Sequence, residues 1–388
     1  MSPEEILASL SRVNSDEDQV SDACVPLVNM HNTCFVNVVL QALFHTHPLV
    51  DALLEQRYEP DIRDHLGDKR IYLLLYYITM NRAAWLTRRG VSVPMRPGAF
   101  VEHLRRHLPL YECGSQHDAQ ETFIWLLNTF HECLSRDVVY ETEGDPSKLI
   151  DKMRIEATKQ WAQHFRDSRQ VESEEESKEG SNGYNLFRSR YSLILEIFGG
   201  QYLERFNCGR DVCNHVTYKY ESFLTSELLI QGDVNTVEGA LEQHCGLERL
   251  EKGNEWLCEK CNVRSLPLRR SSYWLLPKKC LVLTLKRFTH EFRDGRYQSR
   301  KITKLISYDP NGLLNMDPYV SNGLCETRYK LYAIICHTGT LGFGHYYMYG
   351  RNTADEWWCF NDDNVYKVQD ERSLVTPDAY MLMYQLIE

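Results

Sequence analysis

Apolar residues in this chain change their spacing near Ile197, and that change restricts the fold more than any other feature of the sequence. Before it the pattern is helical. Val36, Val39, Leu40 and Leu43 fall at i, i+3, i+4 and i+7 after Cys34. Ala119, Phe123, Leu126, Leu127 and Phe130 form the buried stripe of a second helix, expected from about Gln116 to Cys133. After it, Thr217-Tyr218-Lys219-Tyr220, Leu281 to Leu285, Tyr329 to Ile335 and Tyr346 to Tyr349 read as strands. Helices first and strands later predict an α+β protein. A length of 388 residues suits one large domain or two ordinary ones, and 43% hydrophobic residues are enough for a substantial core. No internal repeat is visible.

The ends and one interior segment depart from this pattern. Residues 1–20 are polar and acidic and read as a flexible tail. The stretch of about 166–185 carries Glu172, Glu174, Glu175, Glu176 and Glu179 among serines, then Gly180-Ser181-Asn182-Gly183, and reads as a mobile acidic insertion. A formal net charge of −10 argues against nucleic acid as the partner, because phosphate neutralisation needs a basic face. It suits a basic protein surface better. Thirteen cysteines, an odd count, argue against a fully paired disulfide framework and for a reducing compartment. Met1-Ser2-Pro3-Glu4-Glu5 lacks the basic-then-apolar signature of a signal peptide. No apolar run approaches the roughly 20 residues of a membrane span. The expectation is a soluble protein of the cytoplasm or nucleus, not bound to membrane.

One loop and one strand carry the chemistry. Cys34 stands where the polar loop Asn29-Met30-His31-Asn32-Thr33 meets the first helix. A helix N-terminus favours thiolate over thiol. Thr33 is placed to cap that helix, and Asn29 is close enough along the loop to aim its amide at an oxyanion formed beside Cys34. Far downstream, Gly339, Gly342 and Gly344 make a flexible loop before His345, which leads into an aromatic strand. Trp357-Trp358-Cys359-Phe360-Asn361-Asp362-Asp363 follows. A cysteine protease needs a thiolate, an imidazole and a side-chain acceptor that orients the imidazole. Cys34, His345, and Asn361 or Asp362 supply these parts.

Together these segments resemble the ubiquitin-specific protease family, papain-like cysteine deubiquitinases. The resemblance is carried by Asn29, Asn32-Thr33-Cys34-Phe35, Asn37, Leu40 and Gln41, by Gln116-His117-Asp118-Ala119-Gln120-Glu121, and by Leu283-Thr284-Leu285-Lys286-Arg287-Phe288. It continues in Tyr329, Leu331, His337, Gly339, Gly344-His345-Tyr346, Trp357, Phe360, Asp362 and Val365. It implies one catalytic domain over 21–388, shaped as a thumb, palm and fingers, with the helical half to about residue 195 as thumb. It implies a cleft for the extended tail of ubiquitin, with Asp118 and Glu121 binding the tail's arginines and Gly344 and Tyr346 also contacting substrate. The family's third catalytic residue directly follows the phenylalanine, which here is Asn361, with Asp362 auxiliary. Two positions depart from the family, His31 and Pro26, where glycine is usual. Histidine tolerates positive φ better than most bulky residues.

Cys258-Glu259-Lys260-Cys261 and the pair Cys208 and Cys213, about 45 residues upstream, read as a structural zinc site with four thiolate ligands. The family carries such a site at the fingertips, usually with two residues between the cysteines of each pair. Here the first pair has four, and Arg210 occupies the usual place of the first ligand. The implied reaction is hydrolysis after ubiquitin's C-terminal glycine, with no catalytic metal. The alternatives left open are a protease for a ubiquitin-like modifier, or a weakly active ubiquitin-binding module that needs a regulatory protein subunit.

Overall fold

The computed structural model describes residues 1–11, 24–86, 93–108, 115–145, 147–166, 184–210, 212–293, 296–323, 326–340 and 343–387. The expected acidic insertion therefore lies almost wholly outside the described residues, as does the part of the expected tail after Ser11. The rest of that tail is not loose. Pro3–Ser11 forms helix α1, and its Ile6, Leu7 and Leu10 are buried in the main core. Their helical spacing inside a polar segment is the physical reason.

The helices that follow are α2 (Cys34–Phe44), α3 (His47–Leu54), α4 (Glu59–Ile62), α5 (Ile71–Leu86), α6 (Gly98–His107) and α7 (Ala119–Leu134). A hairpin of β1 (Arg136–Glu143) and β2 (Tyr184–Tyr191) encloses α8 (Leu149–His164), and α9 (Leu193–Phe198) closes this half. Next come β3 (Gly200–Asn207), β4 (Val216–Phe223), β5 (Ser226–Leu228), α10 (Val237–His244), β6 (Leu247–Arg249), β7 (Trp256–Leu257), β8 (Arg264–Ser265) and β9 (Leu268–Leu275). The C-terminal part holds β10 (Cys280–Leu285), β11 (Phe288–Arg293), β12 (Arg296–Lys301), β13 (Leu313–Asn315), β14 (Arg328–Gly339), β15 (Gly344–Arg351), β16 (Trp357–Asn361), β17 (Asn364–Lys367) and β18 (Ala379–Leu386). All four expected strands are present. The second expected helix starts at Ala119 instead of Gln116 because Asp118 caps it. No described helix is long and apolar enough to cross a membrane.

The central sheet runs in the order β17-β16-β15-β14-β18-β10-β5, with β13 on β14. Both its faces are covered. Cys280 and Val282 of β10 pack into the core shared with the helices, and Leu281, Leu283 and Leu285 pack into a second core behind the sheet. This is why Cys280–Leu285 is an unbroken apolar run and not an alternating one. A second sheet, β4-β3-β9-β6, extends away from it, with the small β7–β8 hairpin beyond.

Helix α2 lies between the helical layer and the central sheet, touching α5 and α7 on one side and β14, β15 and β16 on the other. All of its residues are buried, as expected for a helix apolar on every face. Each of its Val, Leu and Phe side chains contributes about 1.5–3 kcal/mol by burial. That is comparable with the roughly 1–3 kcal/mol charged for each unbonded buried amide; on α2 the amide N–H groups are paired, while Asn37 Oδ1 and Gln41 Oε1 have no partner among the described residues. Gln41 Nε2 donates to Val25 O at 2.7 Å and Asn37 Nδ2 to Leu27 O at 3.3 Å, fastening the chain that leads into the helix.

Candidate active site

The loop before α2 turns on two successive left-handed residues, His31 (φ 65°) and Asn32 (φ 54°). Histidine thus occupies the position where the family pattern has glycine, with the conformation that glycine would take most easily. Asn29 organises the turn. Its Oδ1 accepts from Thr33 N at 3.1 Å, and Thr33 Oγ1 accepts from Met30 N at 2.8 Å. Thr33 was expected to cap α2, but its side chain makes no hydrogen bond to the helix and braces the loop instead. Cys34 is the first helical residue, so its own N–H has no partner within the helix.

His345 reaches Cys34 from the other layer, as the second residue of β15. Its Nε2 lies 2.6 Å from Asn361 Oδ1 and 4.0 Å from Asp362 Oδ2. With Nε2 committed to Asn361, Nδ1 is the nitrogen left for the thiol. The hydrogen bond to Cys34 is the main reason the imidazole is held up at about 9; partial burial opposes it, and Asn361 and the charges of Cys34 and Asp362 add to it.

Asp362 occupies the β16–β17 turn with φ 53° and ties the two layers together. Its carboxylate accepts from Asn37 Nδ2 at 2.7 Å and from Asn29 Nδ2 at 2.9 Å, and its carbonyl accepts from Leu27 N at 3.0 Å. Asn37 and Asp362 are 325 positions apart. One Nδ2 hydrogen of exposed Asn29 remains for a ligand beside Cys34.

The segment leading into α7 joins the helical layer to the central sheet. Asp118 and Glu121, expected together on a substrate tail, are placed differently. Asp118 caps α7 by accepting from Gln120 N at 2.7 Å and Glu121 N at 3.1 Å, and it also accepts from Tyr380 Oη at 2.8 Å. Burial raises its carboxyl above the ordinary range, opposed by these donors. Glu121 is exposed in the first turn of α7. Of the other expected contacts, Gly344 has both main-chain groups paired with the Gln116 carboxamide. Gly344 N donates to Gln116 Oε1 at 2.8 Å, and Gln116 Nε2 donates to Gly344 O. Tyr346 is buried, packing on His337, with its hydroxyl accepting from Ala119 N at 3.4 Å. Gln120 Nε2 donates to Glu227 at 2.7 Å, and Glu227 pairs with Lys286 at 2.8 Å. A hollow of about 480 Å³ opens beside this bridge, lined by Ile124, Asn128, Leu224, Glu227, Leu229 and Lys286 among others.

Cys208, Cys213, Cys258 and Cys261 converge beyond the second sheet, all four sulfurs lying within 4.8 Å of one another. Cys208 Sγ and Cys261 Sγ are 3.8 Å apart, as are Cys213 Sγ and Cys258 Sγ. A disulfide needs about 2.05 Å, whereas a tetrahedron of Zn–S bonds near 2.3 Å has edges of about 3.8 Å. The four-residue spacing of the first pair is accommodated, and the cluster fits a metal ion.

Sequence reasoning gave no role to Gln116, Asn37, Tyr380 or Glu227. Asn37 and Gln41 carried a usable signal, two amides one turn apart on an otherwise apolar helix. Glu227 and Tyr380 carried none, because their partners at the start of α7 are more than 100 residues away in the chain.

Residues 25–384 match the family described as ubiquitin carboxyl-terminal hydrolase. The chain is 26% identical over 406 residues to ubiquitin carboxyl-terminal hydrolase 5 of Saccharomyces cerevisiae, covering 99% of this chain and 48% of that protein. It is 25% identical over 380 residues to ubiquitin carboxyl-terminal hydrolase Usp2 of Drosophila melanogaster, covering 96% of this chain and 36% of that protein. The chain thus spans less than half the length of these relatives. The fold is similar to that of a chain in the SAGA Ubp8/Sgf11/Sus1/Sgf73 DUB module bound to ubiquitin aldehyde, with a TM-score of 0.70 and 20% identity, covering 99% of this chain and 75% of the other.

Proposed function

Because this chain belongs to the ubiquitin carboxyl-terminal hydrolase family, we propose that it is a thiol-dependent deubiquitinase. It removes ubiquitin from proteins or polyubiquitin by cleaving after the C-terminal glycine. The observation that carries this reading is the unbroken line Cys34–His345–Asn361, built from a helix and two strands that fold onto one another.

The roles follow from the geometry. At neutral pH the raised His345 carries a proton beside Cys34, and the thiolate is the form of the cysteine that attacks. The thiolate attacks the glycine carbonyl carbon, and the carbonyl pair moves onto oxygen. The free Nδ2 hydrogen of Asn29 and the Cys34 N–H at the start of α2 are the donors for that oxyanion. His345 gives its proton to the departing amine nitrogen as the C–N bond breaks, leaving a thioester. His345 then takes a proton from water, the hydroxide adds to the thioester, and collapse returns the Cys34 thiolate and a free ubiquitin carboxylate. Asn361 fixes the imidazole. Asp362 acts mainly by holding Asn29 and Asn37, its carboxylate being closer to them than to His345. Glu121 is the carboxylate left to read a basic tail, with Glu227 next along the cleft.

The fingertip cysteines are assigned a structural zinc ion. Four thiolates leave no open position for chemistry, and they would brace the β7–β8 hairpin against the second sheet. The structure of similar fold is of a module containing Ubp8, Sgf11, Sus1 and Sgf73, and a regulatory protein subunit is proposed here by analogy.

The test is cleavage of diubiquitin and of matched substrates made with ubiquitin-like modifiers. Release of ubiquitin by the wild type and none by Cys34→Ala supports the reading. Activity confined to another modifier would retain the chemistry and replace the substrate, and wild-type activity in Cys34→Ala would reject the mechanism.

A further inference from the structure

His345 must be held in register across a cleft, and the strand that carries it is poorly supported at that end. On one edge β15 pairs with β14 from Gly344 to Gly350, but on the other β16 pairs only from Met348 to Arg351. At Gly344 the free edge is filled by one side chain. Gln116 accepts from Gly344 N and donates to Gly344 O, the two-bond pattern that a neighbouring strand would supply. Gly344 is also closed on its face: a Cβ there would lie 2.1 Å from His337 Nε2. The peptide immediately before His345 is therefore gripped from the thumb by Gln116 and from beneath by His337.

We infer that Gln116 is a positioning residue for the proposed hydrolysis: its pairing with both main-chain groups of Gly344 holds the start of β15 so that His345 meets Cys34. The inference rests on the reading that Cys34 and His345 perform the chemistry. Gln116 stands on the segment that enters α7, so it links the layer bearing the thiol to the strand bearing the imidazole. The fold does not depend on this link. β15 remains paired with β14 and β16, and Tyr380–Asp118 still joins the two layers without it. Its removal should therefore release the imidazole without unfolding the protein, an effect a merely structural contact would not give.

The experiment compares wild type, Gln116→Ala, Gln116→Glu and His345→Ala. It measures kcat and KM on a ubiquitin C-terminal fluorogenic amide, the thermal midpoint, and the pH dependence of Cys34 alkylation by iodoacetamide. Gln116→Ala should lower kcat about ten- to a hundredfold, the scale of an ångström-sized misplacement, with KM and the thermal midpoint little changed. The alkaline limb should move to lower pH as the imidazole loses its contact with Cys34. Gln116→Glu keeps the acceptor for Gly344 N and loses the donor to Gly344 O, so it should recover part of kcat. Unchanged kcat and unchanged limb in Gln116→Ala would overturn the inference. So would a lower KM with higher kcat/KM, which would make Gln116 a bar that substrate displaces. Failure of Gln116→Ala to fold would contradict the claim that the fold is independent of this link. The underlying reading fails separately, if wild type leaves the ubiquitin amide intact or if wild type and His345→Ala alkylate at equal rates.

Discussion

Asp362→Ala separates two ways in which this carboxylate could act. In the structure it accepts from Asn29 Nδ2 and Asn37 Nδ2 at 2.9 and 2.7 Å, and its side chain is only 12% exposed. Each hydrogen bond to a charged acceptor contributes about 1.5–3 kcal/mol, and water filling the vacated space recovers part of that for exposed Asn29. The left-handed φ of 53° adds about 1–2 kcal/mol for an alanine. The sum is a loss of about 4 kcal/mol, or roughly 5 °C in thermal midpoint. Asp362→Asn tolerates the same φ and keeps an acceptor for one of the two amides, so it should lose about half as much. The charge of Asp362 is the smallest of the influences holding His345 up, and Asn361 is a larger one. The assay is chemical denaturation together with kcat across pH on the ubiquitin amide. Asp362→Ala should lower both stability and kcat, while its alkaline limb moves less than that of Asn361→Ala. Wild-type stability in Asp362→Ala, with the larger movement of the limb, would refute this reasoning and make Asp362 the direct partner of the imidazole.

Three further outcomes are expected. Asn361→Ala should reduce kcat by orders of magnitude while leaving the fold intact, measured by steady-state kinetics beside circular dichroism; full activity would assign the orienting role elsewhere. In wild type, His345 keeps its proton until pH rises through about 9 and then loses it, so kcat/KM should fall on the alkaline side near that pH; a fall centred near 6.5 would contradict the Cys34 contact. Purified protein should carry about one zinc per chain by metal analysis, and chelation should lower the thermal midpoint more than it lowers the alkylation rate of Cys34, because four thiolates make a structural site remote from the chemistry; well under half an equivalent of zinc would reject the assignment.

The fold was legible where the chain states its own period. The strand Cys280–Leu285 was readable as an unbroken apolar run, and the helix Cys34–Phe44 from the helical spacing of Val36, Val39, Leu40 and Leu43; that the helix is buried on every side was not. The hairpin of β1 and β2 was not anticipated, since its strands are separated by α8 and the residues around it and only pairing across that distance defines them. The amphipathic stripe Ile6, Leu7 and Leu10 was overlooked inside an acidic tail. At the site, the loop, the histidine strand and the thiolate quartet were visible as spacing. The cross-links were not, because Gln116–Gly344, Asp118–Tyr380 and Gln120–Glu227 join segments more than 100 residues apart. Asp118 shows the limit well: a carboxylate directly before a helical stripe is equally a cap and a ligand until Tyr380 is seen against it.

The central claim is that Cys34 is the one thiol activated by His345 in a cleft that admits the tail of ubiquitin. Treatment with ubiquitin bearing a C-terminal electrophile, followed by intact mass and peptide mapping, tests it directly. Proximity raises the effective concentration at a single thiol, while Cys133, Cys245, Cys280 and Cys336 are buried and that burial pushes their thiols up. The account requires one adduct per chain, mapped to Cys34, absent in Cys34→Ala and strongly slowed in His345→Ala. An adduct on any other cysteine, or undiminished labelling of Cys34→Ala, would contradict it.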